Sequence, residues 1–78
     1  MTDVEIEYCH PCGYLDRAQD LEHAILEAYG LELDGVRLQV GDGGVFQVRV
    51  DGEQVFDVDD EEYDVDAIVD RVGDHVGA

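Results

Sequence analysis

The sequence predicts a small α/β (α+β) layer of order β-α-β-β-β-α, a mixed four-stranded sheet with two helices. Three patterns predict it. Residues 3–8 alternate strictly between polar and apolar, apolar residues from Tyr14 to Tyr29 recur at helical spacing, and Asp51-Gly52 separates two further alternating runs. Alternation marks a strand with one buried face, and recurrence every three to four residues marks an amphipathic helix. Asp-Gly between alternating runs is a strong short-range hairpin signal.

Each element has its own justification. In the first strand Val4, Ile6 and Tyr8 share a face. The helix that follows carries Tyr14, Ala18, Leu21, Ile25 and Ala28 on one stripe, which Leu26 and Tyr29 widen, and Gly30 is its natural stop. Val36, Leu38 and Val40 align in a second strand, which Gly41-Asp42-Gly43-Gly44 breaks. Residues 45–50 and 53–58 form the hairpin. An acidic loop over 57–64 leads to a last helix from about Val65, with Val65, Ile68, Val69, Val72 and Val76 as its buried stripe. A strand, a helix and a second strand make one crossover, so the first two strands are expected to be parallel.

The 78 residues correspond to one domain, 1–78, with a thin core, since so small a chain buries only about 60% of the surface it exposes when unfolded. Nothing approaches the roughly 18 apolar residues of a membrane span, and the Met-Thr-Asp-Val-Glu start lacks the regions of a signal peptide. The sequence therefore predicts a cytoplasmic protein with no membrane partner. There are 21 acidic residues against four basic ones, for a formal charge of −17. The basic residues are Arg17, Arg37, Arg49 and Arg71, with no lysine. Such a balance leaves no basic footprint for nucleic acid. It fits a solvated surface in a halophilic, very salty cytoplasm, where about 1 M salt shortens the Debye length to about 3 Å and screens the self-repulsion. The acidic loop "DVDDEEYD" lacks the glycine and terminal glutamate spacing of a calcium-binding EF-hand.

The chemistry-bearing stretch is "EIEYCHPCGYLDRA", residues 5–18, with the only two cysteines of the chain at Cys9 and Cys12. A Cys-x-x-Cys at a strand-to-helix junction describes a thioredoxin-like redox site. The start of a helix favours thiolate over thiol, Pro11 suits a first helical turn, and His10, when protonated, stabilises an adjacent thiolate. Glu7 and Asp16 are the nearest carboxylates opposing ionisation. Two other readings stand beside this one. A structural zinc needs four ligands, and with His10 poorly placed and His23 and His75 unrelated by spacing, the shell would close only if two chains pooled their cysteine pairs. A disulfide serving only as a staple would close a very short loop, contributing less than the roughly 3 kcal/mol of a 15-residue loop.

The stretch "VEIEYCHPCGY" (4–14) resembles the active-site segment of the Rdx family, the selenoprotein W/T/H-like proteins, in the cysteine-containing form. "GGVFQVRVDGEQVF" (43–56) resembles that family's Gly-x-Phe-Glu-Val strand and return strand, with Gln47 where the family often has Glu. The resemblance implies a thioredoxin-like fold and thiol–disulfide oxidoreductase chemistry at Cys9 and Cys12. The partner would be a low-molecular-weight thiol or a redox partner protein. No cofactor and no metal are implied. Cys12 matches the position that carries selenocysteine in some members; as ordinary cysteine it is the weaker nucleophile. Pro11 is the only proline, so the cis-proline that faces the active site in thioredoxins proper is missing.

Placing Pro11 first in the helix would put Cys9 at the exposed mouth, whereas family position favours Cys12; we expect Cys12 to attack and Cys9 to resolve. Tyr8, His10, Pro11, Gly13, Tyr14 and Phe46 are the residues expected to shape the site. Core packing is the competing role for Tyr8, Tyr14 and Phe46, and close chain approach for Gly13. His23 and His75 are expected at the surface. The alternative function is a non-enzymatic redox-sensing or protein-interaction module with incidental or zinc-sharing cysteines. Oligomeric state is left open, because a strand edge is free for pairing.

Overall fold

The computed structural model describes residues 2–76. Its elements are β1 (Asp3–Cys9), α1 (Leu15–Tyr29), β2 (Gly35–Gly41), β3 (Phe46–Val50), β4 (Glu53–Asp57) and α2 (Val65–Val76), with one 3-10 turn at Gly30–Glu32. The strands lie in the order β2-β1-β3-β4. β1 is parallel to β2 and antiparallel to β3, and β4 returns antiparallel to β3. Element order and mixed sheet are those the alternation and the hairpin signal predict.

Register aligns the apolar face. Val4, Ile6 and Tyr8 stand opposite Val50, Val48 and Phe46 on one side and Val36, Leu38 and Val40 on the other. Phe56 on β4 is paired with Val48. The helices add buried Ala18, Leu21 and Ile25 from α1 and Ile68 and Val72 from α2. A single apolar layer between sheet and helices is thus the core. Each large side chain buried there contributes about 1.5–3 kcal/mol before chain entropy is subtracted. Asp51 and Gly52 both adopt positive φ, 52° and 86°, as a two-residue primed hairpin turn requires. The Asp51 carboxylate accepts the Asp3 N–H at 2.9 Å, tying the turn to the start of β1. Asp64 caps α2, its Oδ1 accepting the Ala67 N–H at 3.2 Å.

The opposite face of the sheet is polar. Arg49 on β3 binds Glu5 and Glu7 on β1, Arg37 on β2 reaches Glu5, and Gln47 donates to Asp57 on β4. One network therefore spans all four strands, and a face of this composition is suited to water.

The buried stripe of α1 is narrower than its spacing predicts. Leu26 and Ala28 are exposed, because a two-layer domain covers only the sheet-facing side of a helix. Tyr29 ends the stripe instead, half-buried, with its hydroxyl donating to the Val69 carbonyl of α2 at 2.7 Å. Val40 lies in phase with Val36 and Leu38 but is 60% exposed, at the end of an edge strand. His75 is half-buried, its Nδ1 3.4 Å from a Glu53 carboxylate oxygen, while His23 is at the surface. Among the described residues no helix is long and apolar enough to cross a membrane.

Candidate active site

Cys9 is the last residue of β1, a strand paired on both sides. Gly41 is its partner on β2, and on the other side its N–H donates to the Val45 carbonyl at 2.7 Å. The next N–H, of His10, donates to the Gly41 carbonyl at 3.0 Å. The chain leaving the sheet at Cys9 is therefore pinned from both neighbours before it turns. The 41–45 loop must come very close to do this. A Cβ on Gly41 would lie 2.8 Å from Val45 Cγ1 and 3.3 Å from the Tyr8 carbonyl oxygen, so only glycine fits without a shift.

Residues 10–13 form a closed turn that stands apart from the helix. The Gly13 N–H donates to the His10 carbonyl at 3.1 Å and the Tyr14 N–H to the Cys9 carbonyl at 3.3 Å. With Gly13 left-handed at φ 81°, these nested bonds repeat the arrangement that ordinarily terminates a helix. Pro11 therefore lies in this turn, outside the first helical position expected for it, and α1 begins only at Leu15. A left-handed residue interrupts right-handed winding, so Cys12 precedes the helix instead of opening it. The helix field falls off within about one turn and acts on Cys12 less than a cysteine inside that turn would feel.

The two sulfurs are joined, with Cα atoms 5.3 Å apart. Their surroundings differ sharply. Cys9 has 0% of its surface exposed, whereas Cys12 is exposed, as are His10, Pro11 and Gly13. Around the turn the structure brings four of the expected aromatic and imidazole rings together. Tyr8 meets His10 edge-on, ring centroids 6.1 Å apart, and is the cross-strand partner of Phe46. Half-buried Tyr14 meets Phe46 edge-on, also at 6.1 Å, and Phe46 is wholly buried. Tyr8 and Phe46 are thus floor residues in the core, and Tyr14 links that floor to the turn.

The electrostatics depend on Arg49. By strand alternation Glu7 shares a face with Cys9. Its carboxylate is 2.6 Å from Arg49, which also binds Glu5 at 2.8 Å and donates to Gln47 Oε1 at 2.7 Å. The hydrogen bond to Glu7, more than the opposing effect of burial, raises the Arg49 pKa above its ordinary value. The carboxylate nearest Cys9 along the strand is therefore neutralised locally, while Asp16 is exposed in the first turn of α1.

Gly41, Val45, Arg49 and Arg17 belong to this neighbourhood, and the motif alone does not single them out. Gly41 stands in the Gly-rich break, and Arg49 alternates in phase with Gln47 on β3; both signals are visible only once pairing is known. Arg17 lies three residues after Tyr14, which on a helix is the same face. Its guanidinium carbon is 4.7 Å from the Tyr14 ring centroid, 4.7 Å from that of Tyr63 and 5.8 Å from that of Phe46, within cation–π range. The Tyr63 hydroxyl donates to the Arg17 carbonyl at 3.3 Å.

The family model described as "Rdx family" matches residues 3–74, which takes in the turn, the whole sheet and most of α2. The chain belongs to the Rdx family. A solved structure from Bordetella parapertussis is similar to it with a TM-score of 0.89 and 32% identity, covering 95% of this chain and 96% of that one. A selenoprotein W-related protein from Vibrio cholerae is similar with a TM-score of 0.89 and 25% identity, covering 96% of each. Migration and invasion enhancer 1 of Bos taurus and of Mus musculus are each 33% identical over 54 residues, 68% of this chain. The chain spans 44% of the length of these curated relatives. The Rdx protein thus has the thioredoxin-like α+β fold expected from its active-site segment. Family membership together with the bonded cysteine pair supports a redox-related role.

Proposed function

We propose that this Rdx-family protein is a thiol–disulfide oxidoreductase that cycles Cys9 and Cys12 between dithiol and disulfide in a salt-adapted cytoplasm. One observation carries the reading: an exposed cysteine is bonded to a fully buried one on a turn anchored to the sheet. An exposed thiolate at Cys12 attacks a substrate disulfide R–S–S–R, forming Cys12–S–S–R and releasing R–S⁻, which takes a proton. The Cys9 thiolate then attacks the Cys12 sulfur, forming the internal disulfide and releasing the second R–S⁻. Two electrons pass from the protein to the substrate. The reverse sequence, driven by a low-molecular-weight thiol or a redox partner protein, restores the dithiol. His10, an exposed imidazole in the same turn as Cys12, is the available proton donor to the leaving thiolate; Tyr8, Tyr14 and Phe46 fix the turn, and Pro11 and Gly13 set its shape.

A redox titration at high salt tests this. A midpoint of about −180 to −270 mV, the range spanned by protein disulfide isomerase, glutaredoxins and thioredoxin, is expected. Failure of the pair to form a disulfide reversibly under mild oxidant overturns the reading and leaves an interaction module.

A further inference from the structure

We infer that Arg17 is a substrate-specificity residue, a fixed cation that favours small thiols and disulfides bearing a carboxylate at Cys12; this rests on the oxidoreductase reading above. Charge distribution is the first observation. The sequence has four arginines against 21 acidic residues, and a random placement would give each arginine several carboxylates to choose from. Arg37, Arg49 and Arg71 each take at least one. Arg17 has none within 4.0 Å among the described residues, although Asp20 is near enough to influence Tyr63. Its guanidinium lies instead against the rings of Tyr14, Tyr63 and Phe46.

Aromatic faces hold a guanidinium in place without neutralising it, and leave the planar N–H fork able to bind a carboxylate bidentately. Phe46 in turn is braced by Phe56 and Tyr63, at centroid distances of 6.3 and 5.3 Å, so the platform is rigid. Position supplies the second observation. Tyr14, which Arg17 stacks on, is two residues beyond exposed Cys12 and is tied through its N–H to the Cys9 carbonyl. An arginine with no carboxylate partner among the described residues thus stacks on the ring of Tyr14, two residues along the chain from exposed Cys12. On a surface this acidic, an anionic substrate is otherwise repelled. Salt removes the long-range repulsion but leaves a direct contact in place, so Arg17 would discriminate under the conditions the composition suits.

The reaction is the exchange already written, with R carrying a carboxylate near its sulfur. That group sits on the Arg17 fork while Cys12–S–S–R forms. The measurement uses reduced full-length protein in about 1 M salt. Stopped-flow second-order rate constants are taken with dithiodipropionate (anionic), hydroxyethyl disulfide (neutral) and cystamine (cationic). Each is divided by the rate of the same disulfide with 2-mercaptoethanol, which removes intrinsic reactivity. The wild type is expected to prefer the anionic disulfide over the neutral one. Arg17→Gln is expected to lower that ratio roughly threefold to tenfold, as for loss of one partly exposed charged contact. Arg17→Lys, which keeps the charge and loses the fork, is expected to fall between. An equal ratio in wild type and Arg17→Gln overturns the inference. Should Arg17→Gln fail to fold, a wild-type preference for cystamine overturns it without any variant, a wild-type preference for dithiodipropionate that is reduced in Arg17→Lys supports it, and one unchanged in Arg17→Lys overturns it. No reaction with any of the three disulfides sinks the oxidoreductase reading itself, whereas reaction without charge preference overturns only the role of Arg17.

Discussion

Cys12 stands at the surface of its turn while Cys9, to which it is bonded, is enclosed at the end of β1, a strand paired on both sides. Access therefore separates two chemically identical thiols. Cys9→Ser is expected to leave a Cys12 thiol that forms a stable mixed disulfide with a small disulfide reagent. Cys12→Ser is expected to leave a Cys9 thiol that reacts at least about tenfold more slowly, because its burial blocks approach. Mass spectrometry of the two adducts over time checks this, and a faster adduct on Cys12→Ser would reverse the assignment of attacker and resolver.

Gly41 couples the second strand to the cysteine turn through space that a methyl group would fill. Gly41→Ala must displace Val45 or the Tyr8 carbonyl, and Tyr8 immediately precedes Cys9. The expected loss of stability is about 1–3 kcal/mol, the usual cost of overpacking, together with a shifted midpoint in the redox titration. Gly35→Ala is the control: its Cβ would meet nothing within 4 Å, and its effect should stay within about 0.5 kcal/mol. Equal urea midpoints for the two variants would show that the close approach is not needed.

Arg49 holds Glu5 and Glu7 together on the polar face, with all three side chains less than a third exposed. Removing the cation leaves two carboxylates side by side on the strand that ends in Cys9. Arg49→Gln is expected to destabilise the protein by about 1.5–3 kcal/mol, the range for hydrogen bonds to charged groups. Arg49→Lys, which cannot fork to both acids, should recover only part. Urea unfolding at fixed high salt measures both. Indistinguishable stabilities would mean that water replaces the arginine without cost.

Tyr63 supplies a pH dependence. Burial raises its pKa above the ordinary tyrosine value, partly offset by the charge on Arg17. A group whose pKa is raised on folding contributes its full stability below the unfolded value and loses that contribution as the pH rises through the folded one. Stability attributable to Tyr63 should thus be present at neutral pH and decline from about pH 10 upward. Tyr63→Phe, although it gives up the hydroxyl bond to the Arg17 carbonyl, should show a shallower alkaline decline than the wild type. Parallel declines across this window would show that Tyr63 ionises as freely in the folded state as in the unfolded one.

Much of this protein was legible in one dimension. Strict alternation at Val4, Ile6 and Tyr8, the helical recurrence of Ala18, Leu21 and Ile25, and Asp51-Gly52 between two strands are local patterns, and local sterics and burial enforce them. They were enough for the element order and the mixed sheet. The close Cys-x-x-Cys likewise located the candidate site, since three residues of chain bring two sulfurs within reach whatever else happens. The local pattern leaves Pro11 undecided, because a proline fits both a first helical turn and an isolated one, and the nested bonds around left-handed Gly13 select the isolated turn.

What the sequence alone determined is the identity of the core-facing residues and the position of the sulfur pair. What only the tertiary structure decided is the environment of each sulfur: Cys9 enclosed between Gly41 and Val45, Cys12 exposed, Glu7 neutralised by Arg49, and Arg17 placed against three aromatic rings. Those partners lie 32 to 46 residues apart along the chain in several cases, as Cys9 and Gly41 or Arg17 and Tyr63 do, and strand pairing and helix docking, which no local pattern encodes, bring them together.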